Sequence, residues 1–299
     1  MTATSSRRLS LRTREAGLGY LLLLPAFIIF AVFIFYPFAK NFYLGFFRTP
    51  PFPGLPKQNV GFEQYKDVLT SSEFLDSLRI TIVFALYTVP IGIALGLGLA
   101  VIAHQKLKGV GIYRTIFSST VATSVAVASV IFGTLMNPQV GLLPWIGLDT
   151  SPPILDNPKW ALLAVSITTI WQNLGLSFII MSAGLQTVPD EILEAAEVDG
   201  ASGWTRFWRV TLPMLSPTIF FAVVVGSIFA FQTFGQIDLL TPRGGPLKST
   251  NVLTFFIYSE LRRPDEGKAA VLAIALFAIT LVLTLVQFRF LERRVHYER

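Results

Sequence analysis

Two stretches of this sequence, Ile80–Ala103 and Ala269–Phe288, contain no charged side chain. A helix rises 1.5 Å per residue, so about 20 apolar residues cross the roughly 30 Å hydrocarbon layer of a bilayer. To be core helices of a soluble protein, several such runs would have to be overlong in one chain. The pattern therefore specifies an all-α, polytopic membrane protein. Composition agrees: of 299 residues, 53% are hydrophobic and 14% charged, against about 25% charged in soluble domains. The formal charge is +6, but no basic face or stacking motif accompanies it, so nucleic acid is not an expected partner. A basic excess at membrane flanks is a topological signal instead. Cysteine is absent, which excludes disulfides, thiolate metal sites, iron–sulfur clusters and cysteine nucleophiles. His104 and His296 stand far apart at predicted helix ends and read as interfacial residues, so no metal site is expected.

The first apolar run, residues 16–39, follows Arg7, Arg8, Arg12 and Arg14. It is longer than a signal-peptide core and lacks a small-residue cleavage site, so it reads as an uncleaved span behind a tail of residues 1–15. Five more spans are predicted at 80–103, 116–136, 160–185, 214–234 and 269–288, making residues 16–299 one six-helix domain. Pro25, Pro90 and Pro217 fall inside or near spans, where neighbouring groups can satisfy the freed carbonyls. The small residues Gly92, Ala94, Gly96, Gly98 and Ala100 suit close packing within the chain. Lys and Arg are denser in the tail, the C-terminal segment and the loop with Lys106, Lys108 and Arg114 than in the alternate loops. That asymmetry places both termini in the cytoplasm. Two outer loops are long: 40–79, irregular around Pro50, Pro51, Pro53 and Pro56, and 235–268, with a short helix expected over 251–261.

The loop at 186–213 between spans four and five is the most informative. Thr187 and Asp190 are spaced as a capping pair, Pro189 suits a first helical turn, and Asp190, Glu191 and Glu194 suit the positive end of a helix dipole. Gly200 permits a turn that a β-carbon would hinder. Beyond it, Trp204, Phe207, Trp208 and Leu212 form one apolar stripe, expected to anchor the segment on the chain's own helices. Helix, glycine turn, helix is the reading. By itself this leaves a hairpin lying on lipid and a hairpin docking a partner equally open.

Glu194-Ala195-Ala196, then Gly200, then Val210 and Leu212-Pro213 resembles the EAA motif of binding-protein-dependent ABC importer permeases, with valine where isoleucine is usual. The resemblance implies the type I permease fold with 186–213 as the coupling loop. Glu194, Ala195, Ala196, Asp199, Gly200, Leu212 and Pro213 would couple to a cytoplasmic ATPase. Two further stretches, Thr241-Pro-Arg-Gly-Gly-Pro246 with Ser249, Thr250 and Tyr258, and Val60–Tyr65, are similar to maltose and glycerol-3-phosphate type permeases. That similarity implies uptake of a sugar, glycerol 3-phosphate or a glycerophosphodiester. Its implied partners are a second homologous permease, an ATPase dimer and an extracytoplasmic solute-binding protein, in a bacterial inner membrane. Ile80 and Ser118-Ser119 depart from the family pattern and leave the solute open.

No span carries Asp, Glu, Lys or Arg near its centre, which argues against a proton- or ion-coupled carrier or channel. Neutral polar groups are present, and Trp171, Gln172, Asn173, Gln232 and Gln236 are the candidate translocation pathway. Interhelical polar contact is the competing role for them. No phosphate-cradling loop or catalytic constellation occurs. The chain is thus expected to be neither an enzyme nor a cofactor protein, and ATP and magnesium belong to the partner ATPase. A stand-alone carrier and a membrane enzyme or assembly factor are the alternatives.

Overall fold

The computed structural model describes residues 11–50, 55–105, 108–147, 151–263 and 265–290, without the side chains of 11–14 and 290. The features read at Arg7, Arg8, Pro51, Pro53, Lys106 and His296 lie outside those residues.

The chain opens on α1 (Leu11–Phe30), which runs through one π-helical turn, Ala31–Phe35, into α2 (Tyr36–Leu44). None of its most apolar window is buried by the rest of the chain, as for a helix hydrophobic all round whose solvent is lipid. α2 meets the bundle where Phe38 packs edge-on against Phe277, 5.0 Å between ring centres. A short antiparallel pair, β1 (Phe47–Arg48) and β2 (Gln58–Asn59), leads to α3 (Glu63–Leu69). Here Gly45 leaves room for the Tyr65 ring: a β-carbon would lie 2.4 Å from the Tyr65 hydroxyl, so the ring would have to shift. That hydroxyl donates to the Phe42 carbonyl at 3.0 Å. Burial pushes the phenol pKa up, which keeps the donor protonated.

The centre of the bundle is α4 (Ser72–His104) crossed by α8 (Ala161–Gln186). α4 starts earlier than predicted from the charge-free run, because Ser71 caps it by accepting from the Phe74 amide at 3.3 Å. At roughly 50 Å long it exceeds the hydrocarbon layer, so its charged first turns project beyond it. The small-residue face is the contact with α8: a β-carbon on Gly96 would stand 2.6 Å from that of Ser177. Ala100, Ala103, Phe178, Met181, Leu185 and Leu215 form the core at one end of the bundle. Phe84, Val165, Ile237, Val252 and Phe255 form another toward the opposite end.

Span three is not a straight helix over 116–136. α5 (Val110–Ser118) tightens into a 3₁₀ turn, Ser119–Ala122, and α6 (Val125–Leu135) leaves at 105°. Ser124 starts α6 by accepting from the Val127 amide at 3.2 Å, so the sequence writes a helix start inside what hydropathy reads as one span. The short helix α7 (Leu142–Trp145) follows before α8. Four described helices are long and apolar enough to span, and six if each of two bent pairs counts as one span. The second bent pair joins the loop helix to span five. After α9 (Asp190–Val198), α10 (Gly203–Arg206) continues through a π turn, Phe207–Thr211, to α11 (Leu212–Met214). It then bends by 64° into α12 (Ser216–Phe231).

α12 stops at Phe231, short of the predicted 234, and α13 (Gly235–Leu240) turns back onto α6. The Thr254 hydroxyl takes the freed Thr233 carbonyl. α14 (Leu253–Arg262) is the short helix expected in the outer loop, and α15 (Glu266–Phe290) closes the chain. That loop is fastened to α4: Asn251 donates to Ser77 at 3.0 Å and the Leu253 amide to Thr81 at 2.9 Å. Buried Glu260 holds Arg263 at 3.2 Å and Lys268 at 3.7 Å.

Candidate functional site

The 190–214 hairpin stands at the end of the bundle opposite the 241–263 loop. α9 begins after Pro189, which is its N-cap in extended conformation and makes no side-chain cap. The expected Thr187–Asp190 pair does not form, because the Thr187 hydroxyl donates to the Gly184 carbonyl at 2.7 Å and closes α8 instead. Pro189 likewise sits just before the first helical turn rather than in it. The acidic residues Asp190 and Glu191 remain in the first turn, where the dipole favours them.

Gly200 ends α9 with φ +80°. Its amide donates to Glu197 O and the Ala201 amide to Ala196 O, both at 3.0 Å. This 5→2, 6→1 pair with a left-handed residue is the Schellman C-cap. Ser202 then starts α10, accepting from the Thr205 amide at 3.3 Å. Arg206 reaches back to Glu197 at 2.8 Å and closes the hairpin. Glu194, Ala195, Asp199 and Gly200 are exposed, and Ala196 is half-buried. Val198 is 88% exposed, an apolar side chain presented at the tip. Leu212 and Pro213 are half-buried in the helix that enters span five.

The second half of the hairpin corrects an expectation. Only part of the Trp204–Leu212 stripe turns to the chain's own helices: Phe207 lines a cleft with Leu185, Val188 and Leu193, and Thr211 is buried. Trp204 and Trp208 are 73% and 49% exposed and stack edge-on at 5.5 Å. The π turn Phe207–Thr211 winds more residues per turn, so residues spaced for one α-helical face do not share a face here. The opposing ends of α4 and α5 are joined by Arg114, whose Nη2 donates to the Ala103 carbonyl at 2.7 Å.

The five candidate pathway residues do not share one wall. Asn173 lines a crevice between α4, α8 and α12 with Thr88, Thr169, Ser177, Phe229 and Thr233. Several donors there bond their own helix: Thr88 to Phe84 O, Thr169 to Val165 O, Asn173 to Thr169 O. Val89, Ile93, Ile170, Ile180 and Val225 supply most of the remaining lining, so the crevice is largely apolar. Trp171 packs on Phe132 of α6 at 5.4 Å. Gln232 is exposed at the end of α12. Gln172 and Gln236 bond each other at 3.2 Å, and Gln172 also donates to the Thr123 carbonyl at 3.3 Å. Hydropathy alone missed that carbonyl and the Thr254 hydroxyl at the end of α12. The Thr123-Ser124 pair, a helix-start signal in mid-span, was the available clue.

A multi-pass helical bundle with broken spans and an exposed, capped hairpin has the form of a membrane transport subunit. Residues 20–297 match the family model described as the inner membrane component of binding-protein-dependent transport systems. The chain is 36% identical over 285 residues to the sn-glycerol-3-phosphate transport system permease protein UgpA of Agrobacterium fabrum, covering 94% of this chain and 96% of the relative. The corresponding protein of Rhizobium meliloti is 35% identical over 286 residues, with the same coverage. A crystal structure of a bacterial ABC transporter that imports the acidic polysaccharide alginate superposes with TM-score 0.81 at 24% identity, over 94% of this chain and 96% of that one. At that identity the likeness carries the fold. A second structure of an alginate ABC transporter, in complex with its alginate-bound periplasmic protein, gives TM-score 0.81 at 23% identity, over 96% and 98%.

The chain belongs to the family of inner-membrane components of binding-protein-dependent transport systems. It is a multi-pass permease component of such a system and not an enzyme.

Proposed function

We propose that the chain forms half of the pathway for a small polar solute of the glycerol 3-phosphate class. It works beside a second, homologous permease. Two ATPase subunits, which use ATP and magnesium, lie on the cytoplasmic side with one docked on the 186–213 loop, and a solute-binding protein meets the opposite, extracytoplasmic end. Both termini and the hairpin are then cytoplasmic, in keeping with the Lys/Arg asymmetry. Identity to sn-glycerol-3-phosphate permeases along nearly the whole chain supports the solute class.

The observation that carries the coupling reading is the hairpin itself: a short helix, rigidly capped, with its small and acidic face uncovered. Small side chains allow close backbone approach, and close packing passes motion as a rigid body. Glu194 supplies a charge for ion pairing, Ala195 and Ala196 the close contact, and Asp199–Gly200 the turn. Leu212 and Pro213 lie on the helix that bends into span five, so movement of α9 reaches α12 through a continuous backbone. ATP-driven closure of the ATPases displaces the hairpin, and the spans reorient between outward- and inward-open forms.

The test is ATPase retention by the purified complex. Glu194→Lys reverses the docking charge, and Gly200→Pro fixes φ near −65° where the Schellman turn requires a positive value. Both variants should lose the ATPase while keeping the second permease. Full retention in both would remove the hairpin from the coupling role, and uptake driven by a proton gradient without ATP would overturn the ATP-driven reading.

A further inference from the structure

Span three is interrupted, and the segment that follows span five turns back onto the interruption. The 105° break at Thr123-Ser124 lies against the middle of α8, where a β-carbon on Gly175 would stand 2.4 Å from the Thr120 hydroxyl and 2.8 Å from the Val121 amide. The break after α12 delivers α13 onto α6, and a β-carbon on Gly235 would stand 2.7 Å from Val125 Cγ1. A helix that breaks in an apolar layer leaves carbonyls that must find donors within the protein. For Thr123 that donor is the Gln172 amide at 3.3 Å, and the Gln172 side-chain oxygen in turn accepts from Gln236 at 3.2 Å. Gln236 is 4% exposed and belongs to α13. One side chain on the unbroken helix α8 therefore touches both the break in span three and α13, with its donor on one and its acceptor on the other.

We propose that Gln172 and Gln236 form a latch that sets the angle of the span-three break and ties it to α13 beyond the end of span five, so that the two segments move together. Gln172 is then a positioning residue, and its amide is engaged by the chain rather than by solute. The bonds are ordered: Gln236 reaches Thr123 only through Gln172. Losing Gln172 removes both links, whereas losing Gln236 removes one. The latch rests on reading the chain as a transport subunit, and its first readout needs no solute.

The native chain lacks cysteine, so spin labels at Ile112→Cys and Val140→Cys, both exposed on either side of the break, report its angle in the assembled importer. With the latch intact the distance distribution is narrow. Gln172→Leu, which removes both bonds, should shift the population away from it by more than about fivefold, the scale of one net hydrogen bond. Gln236→Leu keeps the Thr123 bond and loses only the second link, so it should shift it less. Gln172→Leu with Gln236→Leu should be no worse than Gln172→Leu alone, because neighbours in one network are not additive. If Gln172→Leu does not assemble, Gln236→Leu carries the test. An unchanged distribution in the assembled variants, or additive effects, would overturn the latch. In proteoliposomes given sn-glycerol 3-phosphate, the latch predicts a lower maximal rate at unchanged KM. A KM change alone with a wild-type distribution would make Gln172 a solute contact and overturn it. Wild-type protein that fails to take up this solute would contradict the proposed solute class and leave the distance test standing.

Discussion

Gly200 shows how much of the coupling hairpin rests on one residue. Its φ of +80° is a region where a β-carbon costs about 1–2 kcal/mol, and asparagine tolerates it better than a branched side chain. Nothing lies within 4 Å of the β-carbon position, so the penalty is conformational and steric crowding adds nothing. Gly200→Val should therefore weaken ATPase retention about five- to thirtyfold, that penalty expressed as an equilibrium. Gly200→Asn should stay within about threefold of wild type, measured by co-purification across a salt series. Equal losses in the two variants would mean that side-chain bulk at the interface, rather than the turn, sets the effect. The glycine that follows the Ala195-Ala196 pair was legible in the sequence as a turn. The Glu197–Arg206 bond at 2.8 Å that closes the turn was not, because it depends on how two helices fold back on each other.

Among elements, the α4–α8 contact is the least forgiving. In a bilayer, helix association rests on close van der Waals contact rather than on hydrophobic transfer. Gly96 has no room: a β-carbon there would meet Ser177 Cβ at 2.6 Å and the Ser177 carbonyl carbon at 2.8 Å. Gly98, on the same helix, meets nothing within 4 Å. Gly96→Leu should lower the melting temperature of the purified complex through an overpacking cost of about 1–3 kcal/mol, while Gly98→Leu should leave it near wild type. Matching losses would argue that helix propensity or lipid contact, not the seam, dominates. The existence of the spans was legible because length and hydropathy answer to bilayer thickness alone. Their bends were legible only in part. Pro213 and Pro217 flank the 64° bend into α12, yet Pro90 lies inside an uninterrupted 33-residue helix. The 105° break carries neither proline nor glycine at Thr123-Ser124. It is held by partners distant in sequence, Gln172 and Gln236, which no local pattern reveals. Hydrogen-bonding residues were recognisable as a set, but which of them face a crevice and which brace a neighbour depends on the packed bundle.

For the molecule as a whole, the two ends differ in kind, and the difference sets a topology that can be measured. One end holds the hairpin, with Val198 88% exposed at its tip. The other holds the loop fastened to α4 through Asn251 and Leu253, with Leu247 89% exposed. Leu247 has φ 51°, an uncommon conformation for a bulky residue; the loop's bonds to α4 hold the segment that presents it. If the Lys/Arg asymmetry orients the chain, Val198 lies inside the cell and Leu247 outside. Because the chain lacks cysteine, Val198→Cys and Leu247→Cys each place one thiol on an otherwise unreactive protein. A membrane-impermeant maleimide applied to intact spheroplasts should label Leu247→Cys at once and Val198→Cys only after permeabilisation. In permeabilised membranes, adding the ATPase should slow labelling at Val198 about tenfold or more, as expected when a side chain passes from exposed to an interface core, and leave Leu247 unaffected. Labelling of Val198 from outside would invert the orientation. Inside labelling that the ATPase does not slow would keep the orientation and move the docking surface off the tip of α9. The hairpin tip thus reports sidedness and docking through one atom, and the loop at the far end supplies the control.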